Sequence, residues 1–216
     1  MQHDPSAAPA TLPFGDPTPL GLLGLSIGCG ALLPIAFGMV PTDPARAASM
    51  FATAAWFCLL FGAGCQFLAG LMSLANKNTL GGTLLTTFSF NWVMNWHALS
   101  EASQGRAVDA TVGFSVDLTF LLIFVVLTYA FGFYSKLLFA FLLDIDVLYV
   151  LRIARHLLGH GHDLAPALGL GVAVSTVVLM VIALYIAFAL LVNPAAGRAV
   201  FPVAGPMFRP SPPPAA

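Results

Sequence analysis

Charge is what this sequence has least of. Only 8% of its 216 residues are Asp, Glu, Lys or Arg, where soluble domains carry about 25%, so an ordinary hydrated surface around one core is excluded. Eight Lys and Arg stand against nine Asp and Glu, for a net charge of −1. They form no basic cluster that could track a phosphate backbone, so a nucleic-acid partner is excluded. Cysteine is scarce as well. Cys29, Cys58 and Cys65 all lie in apolar runs, where a thiol behaves as a small apolar group. Cys58 and Cys65 share one helical face at a spacing that cannot be bridged by a disulfide. No P-loop, nucleophile elbow or dinucleotide fingerprint occurs, so an enzyme is not expected, nor any cofactor. Residues 1–18 have neither a basic start nor an apolar core and do not read as a cleaved secretory signal. The polar–apolar alternation of a membrane β-barrel is missing too.

What is present is apolar, at 59% of the chain, and it comes in six runs: Pro19–Val40, Met50–Leu74, Leu80–Leu99, Thr111–Phe133, Lys136–Leu158 and Pro166–Val192. Each can cross a hydrocarbon core of about 30 Å, and backbone in lipid must pair internally, which favours helices. The fold class is therefore an all-α integral membrane protein with six transmembrane helices in residues 16–205. The Pro- and Ala-rich ends, 1–15 and 206–216, bury too little to fold alone and are expected to be disordered or extended tails. Six spans put both termini on one side. Lys and Arg mark the cytoplasmic side, but Lys77, Lys136, Arg198 and Arg209 balance Arg46, Arg106, Arg152 and Arg155. Charge thus leaves the orientation open; the expectation is a cytoplasmic membrane with both termini cytoplasmic.

Polar groups inside the runs carry the functional question. Gly24 and Gly28 in the first run, and Gly62 and Gly70 in the second, let helix backbones approach closely. Gln66 lies between the latter two, on one face with them. It either hydrogen-bonds across a helix contact or faces a solute path. In the third run Thr83, Thr87, Asn91 and Asn95 recur every four residues beside Phe88 and Trp92. Such a row of uncharged hydrogen-bonding groups either glues helices or lines a pore for a small polar solute.

The acids are the most unusual feature. Asp144 falls roughly 13 Å into the fifth run, and an ionised Asp at that depth costs about 2.5–3.5 kcal/mol on insertion scales. Two residues turn a helix by about 200°, so Asp146 cannot share its face. One of the two acids either exchanges a proton in the interior or pairs with a neighbouring helix or subunit. Asp117, nearer a helix end, reads as an interfacial anchor. His156, His160, His162 and Asp163 cluster after the fifth run, but no further ligand is specified, and a solvated loop rather than a metal site is expected.

Three stretches resemble the succinate–acetate permease family of acetate uptake transporters. These are Asp16-Pro17-Thr18-Pro19-Leu20-Gly21-Leu22; Gly64 with Gln66-Phe67-Leu68-Ala69-Gly70 and Asn78-Thr79; and Tyr185-x-Ala187 with Asn193 and Gly197-Arg198-x-Val200-x-Pro202. The resemblance implies a homo-hexameric ring with a path through each subunit, and uptake of acetate, or succinate in some members, with a proton. It also places Pro17, Pro19, Leu20 and Gln66 beside the anion path. The family's hydrophobic constriction corresponds here to Leu25, Phe88 and Val147. Asp16 replaces an Asn, and Ser73 and Leu190 replace acids that members commonly carry.

The expected function is a membrane transporter or channel for acetate and similar small carboxylates, proton-linked. Thr83, Thr87, Asn91 and Gln66 would line the path, Leu25, Phe88 and Val147 would form a dry constriction, and Asp144 and Asp146 are candidates for proton coupling. A channel for a small neutral solute such as ammonia, urea or water is the alternative, and a non-transporting sensor or assembly protein a third.

Overall fold

A computed structural model describes residues 14–159 and 161–209. The described residues form six helices: α1 (Thr18–Ala36), α2 (Pro44–Ala75), α3 (Thr79–Ser103), α4 (Ala110–Phe131), α5 (Lys136–Leu158) and α6 (Ala165–Ala196). Their starts follow from local chemistry. The Asp43, Asn78 and Asp109 side chains accept hydrogen bonds from the N–H groups of Arg46, Gly81 and Val112, at 2.8, 2.9 and 2.8 Å, which satisfies donors that a helix leaves unpaired at its N-terminus. Asp16 accepts from the Thr18 N–H at 2.9 Å ahead of α1, a bond that the amide oxygen of an Asn would make equally well.

Four of the helices, α1, α2, α4 and α6, are long and apolar enough to cross a membrane by length and composition. Helix α3 is diluted by its Thr and Asn residues, and α5 by Asp144, Asp146, Arg152 and Arg155. Helix α2 is not uniform. Cys58–Cys65 is a π-helical stretch, a local widening that occurs mostly as single turns inside α-helices.

The helices pack in the spatial order α3-α2-α1-α6-α5-α4, with the α2–α3 contact the most extensive. The backbone of α3 hardly approaches α4 or α5. Side chains fill that gap instead: Phe88 lies edge-on to Phe124 at 5.2 Å, and Tyr149 reaches Asn91. The interior is therefore loosest between α3 and the α4–α5 pair.

Glycines set the tightest approaches. The Trp92 indole is clamped between Gly28 of α1 and Gly62 of α2, where an added Cβ would stand 2.8 and 2.5 Å from ring atoms. The Gly62 and Gly70 positions are thus packing surfaces, Gly70 lying against Thr86.

After α6 the chain folds back. The Asn193 side chain accepts from the Val200 and Phe201 N–H groups at 2.8 and 2.9 Å and donates to the Phe201 carbonyl at 2.8 Å. The Tyr185 hydroxyl donates to the Pro202 carbonyl at 2.9 Å. Met207 and Phe208, which the sequence places in the C-terminal tail, donate their N–H groups to the Gly132 carbonyl. At the other end, Asn76 holds the backbone of Phe14 and Gly15. Residues 1–13 and 210–216, the rest of the expected tails, lie outside the described residues.

Candidate functional site

Two cavities enter the bundle from opposite ends. The larger, about 580 Å³, opens where α1, α3 and α5 end and α4 and α6 begin, the loop end. Ile35, Asn95, Phe114, Arg155 and Val172 are among its walls. The smaller, about 130 Å³, opens at the end that holds residues 14–18, the 76–78 turn and the 132–135 turn, and is lined by Thr18, Gln66, Asn78, Leu84, Tyr134 and Phe141. Among the described residues Phe88 alone lines both.

Phe88 is held in place by aromatic neighbours. Its ring meets Phe124 at 5.2 Å and Trp92 at 6.3 Å, both edge-on, and Phe124 in turn stacks with Phe120 and Tyr149. Edge-on and offset rings add to the area they bury, so the barrier between the cavities is a buried aromatic cluster built from three helices.

Polar groups flank this barrier on both sides. On the loop side the Tyr149 hydroxyl donates to Asn91 Oδ1 at 3.2 Å, which turns the two N–H donors of Nδ2 away from Tyr149. Asn95 Nδ2 donates to the Asn91 carbonyl at 3.0 Å. Beyond them, Arg152 forms an ion pair with Asp117 at 2.8 Å and its guanidinium carbon lies 5.5 Å from the centre of the Tyr149 ring. His156 stacks on Phe114 at 4.6 Å. On the other side of the barrier Gln66 is 1% exposed, and its Oε1 has no hydrogen-bond partner. At the loop end, Arg106 hydrogen-bonds Glu101 and holds that carboxyl below the usual range.

The residues singled out from the sequence divide. Gln66, Phe88, Asn91 and Asn95 face the cavities. Leu20, Thr83 and Val147, expected on the path, are corrected. All three are exposed on the outside of the chain, Val147 by 45%, and the cavity wall on α5 is Leu148 instead. The error is one residue, or about 100° of helix. The Thr83–Asn95 row fails for a related reason. Four residues turn a helix by about 400°, so each step drifts by about 40°, and over three steps the row winds from the cavity to the surface. Thr87, half-buried, lies on neither cavity.

Leu25 is fully buried in the core and also lines neither cavity. Pro17 and Pro19 are buried, but their neighbours Thr18 and Leu22 form the wall.

The two acids of α5 also sit away from the cavities. Ser175 of α6 donates to Asp144 Oδ1 at 3.1 Å, and Thr128 of α4 donates to Asp146 Oδ2 at 2.7 Å. The 200° between them sends one acid to each flanking helix. Asp117, read as an interfacial anchor, is instead 8% exposed and faces the larger cavity beside Arg152.

Among the described residues no three His, Cys, Asp or Glu side chains are grouped to hold a metal; His160 lies outside them. Cys29, Cys58 and Cys65 are free.

The sequence reading missed Phe124, Tyr149 and the pairing of Asp117 with Arg152. The available signals were the helical spacings Asp117–Phe120–Phe124 and Tyr149–Arg152, which put each set on one face.

No known family model matches the chain. A glyoxylate pathway regulator of Yarrowia lipolytica is 33% identical over 103 residues, which make up 47% of this chain and 36% of that protein. The chain thus matches only about a third of that curated relative's length. The solved structure of the bacterial acetate channel SatP superposes with a TM-score of 0.75 at 20% identity, over 88% of this chain and 99% of that one. This establishes the fold, which is the one the resemblance to the permease family implied.

Proposed function

We propose that this chain, a multi-pass helical membrane protein with the fold of a bacterial acetate channel, conducts acetate and similar small carboxylates across the membrane. All six helices span it. One observation carries the reading: two cavities from opposite ends meet at a single aromatic barrier, with Asn91 on one side of it and Gln66 on the other. Amide donors at these places replace part of a carboxylate's hydration just before the dry section. The guanidinium groups of the wider mouth, Arg152 and Arg155, favour an acid over ammonia, urea or water.

Moving a bare charge past Phe88 and Phe124 is costly in surroundings of low dielectric, and a carboxylic acid crosses more cheaply with its proton. Asp144 and Asp146 hydrogen-bond to neighbouring helices and line neither cavity, which supports a proton that travels on the solute. The protein works as a ring of identical copies in a cytoplasmic membrane, six by the resemblance, each with its own path. Its described ends lie at one face of the bundle, in keeping with both termini on the cytoplasmic side.

The test is flux of labelled acetate and labelled urea into vesicles holding purified protein. Acetate should enter faster than urea, and faster as external pH falls toward the acid's own pKa. Asp144→Asn should keep that pH profile. Urea flux equal to or above acetate flux, or acetate flux indifferent to pH, would contradict the reading.

A further inference from the structure

The charged groups of the loop-end cavity are lopsided: among the described residues two guanidinium groups, Arg152 and Arg155, line it beside His156, against one carboxyl group, Asp117. Arg155 and His156 are exposed at the rim. Arg152 and Asp117 lie deeper, with side chains 32% and 11% exposed. A guanidinium has five N–H donors in a planar fork that matches two carboxylate oxygens. Asp117 meets that fork as an ion pair at 2.8 Å without an aligned hydrogen bond to its Oδ1, so the two-point contact is left unused.

Position adds to this. Arg152 is one helical turn from Tyr149 and stacks over its ring; the Tyr149 hydroxyl fixes Asn91; and Asn91 is one turn from Phe88. Guanidinium, amide and barrier therefore follow one another inward, crossing from α5 to α3 through the Tyr149–Asn91 hydrogen bond.

We infer that Arg152 is a specificity-determining residue that captures the ionised carboxylate of a small organic acid, with Asp117 as the resting counter-ion which the incoming carboxylate displaces from the guanidinium. The inference rests on the reading of the chain as a carboxylate path. A counter-ion already inside the cavity keeps the guanidinium in place when no solute is bound. It also weakens binding enough for the solute to leave, as conduction requires, and in the open cavity the released carboxylate takes a proton from water before it passes Asn91 and the barrier.

Opposite signs for the two partners make the experiment decisive, using the purified full-length chain in vesicles. Arg152→Gln removes a charge-assisted two-point contact and should raise the half-saturating acetate concentration about tenfold. Asp117→Asn frees the guanidinium and should lower it about threefold. Urea leak should not change in either. Removing one partner of a buried pair can unfold a protein, so the double variant Asp117→Asn/Arg152→Gln serves as the fold control. It should melt like the parent while keeping the raised half-saturation.

If both single variants impair flux alike and the double variant restores it, the pair is structural and the inference falls while the carboxylate path stands. If the parent itself passes no acetate, both fall. A half-saturation that rises when phosphatidylglycerol is added to phosphatidylcholine vesicles, in the parent but not in Arg152→Gln, would assign the guanidinium to a lipid headgroup and overturn the inference as well.

Discussion

Gln66 shows how a single side chain separates packing from passage. An amide oxygen buried without a partner costs about 1–3 kcal/mol, and Gln66 Oε1 is such an oxygen on a residue only 1% exposed. An apolar side chain of similar volume removes that cost, so Gln66→Leu should raise the melting temperature or leave it unchanged. The same substitution takes away the hydrogen-bonding group of α2 that faces the smaller cavity, and acetate flux should fall severalfold. Thermal unfolding in detergent and vesicle flux, measured on one preparation, check the two halves. A stable variant with undiminished flux would make Gln66 a packing residue only.

Part of the candidate site was legible at this scale: of the residues expected on the path or constriction, Gln66, Phe88 and Asn91 line the cavities. The amides were visible because uncharged polar groups recur at helical spacing in an otherwise apolar chain, and Phe88 came from the resemblance to the permease family. The Arg152–Asp117 pair was not, since its partners are 35 positions apart on different helices, and each alone reads as an interfacial residue.

At the scale of elements, the informative departure is the π-helical stretch Cys58–Cys65 in α2. No sequence pattern announces it, because apolar residues with Gly62 and Gly64 read equally well as plain α-helix. A close approach lies within it. Gly62 abuts the Trp92 indole, which fills the space between α1 and α2 beside the barrier residue Phe88. Gly62→Ala would place a methyl group about 2.5 Å from the ring and should cost about 1–3 kcal/mol by overpacking. Trp92→Leu alone empties part of the space and should destabilise as well. The two together should be less harmful than their sum, because the smaller side chain makes room for the methyl, and a double-mutant cycle on unfolding reads that coupling. Strict additivity would mean that α2 shifts instead of Trp92. The helix boundaries, by contrast, were readable to within a few residues for five of the six helices, since Asp and Asn caps and short polar turns mark where the apolar runs break. Only the start of α2 lies further out, at Pro44 instead of Met50.

At the scale of the whole molecule, the arrangement is an arc of six packed helices whose loosest seam, between α3 and the α4–α5 pair, is closed by side chains. Phe88 is the residue of that seam which both cavities share. Its size therefore sets whether the interior is two vestibules or one channel. Phe88→Ala should merge them but also lose about 3–5 kcal/mol of core packing, so Phe88→Leu is the better probe, removing the flat ring while keeping most of the apolar volume. With the barrier thinned, water can accompany the solute, and the penalty on a bare carboxylate shrinks. Acetate flux at neutral pH should then rise more than flux at acid pH, flattening the pH profile, and urea leak should increase alongside. A proportional gain at every pH would locate the selection for the protonated acid elsewhere, at the rim of the larger cavity. A loss of flux with unchanged stability would make the aromatic ring part of the solute's contact surface instead of its gate.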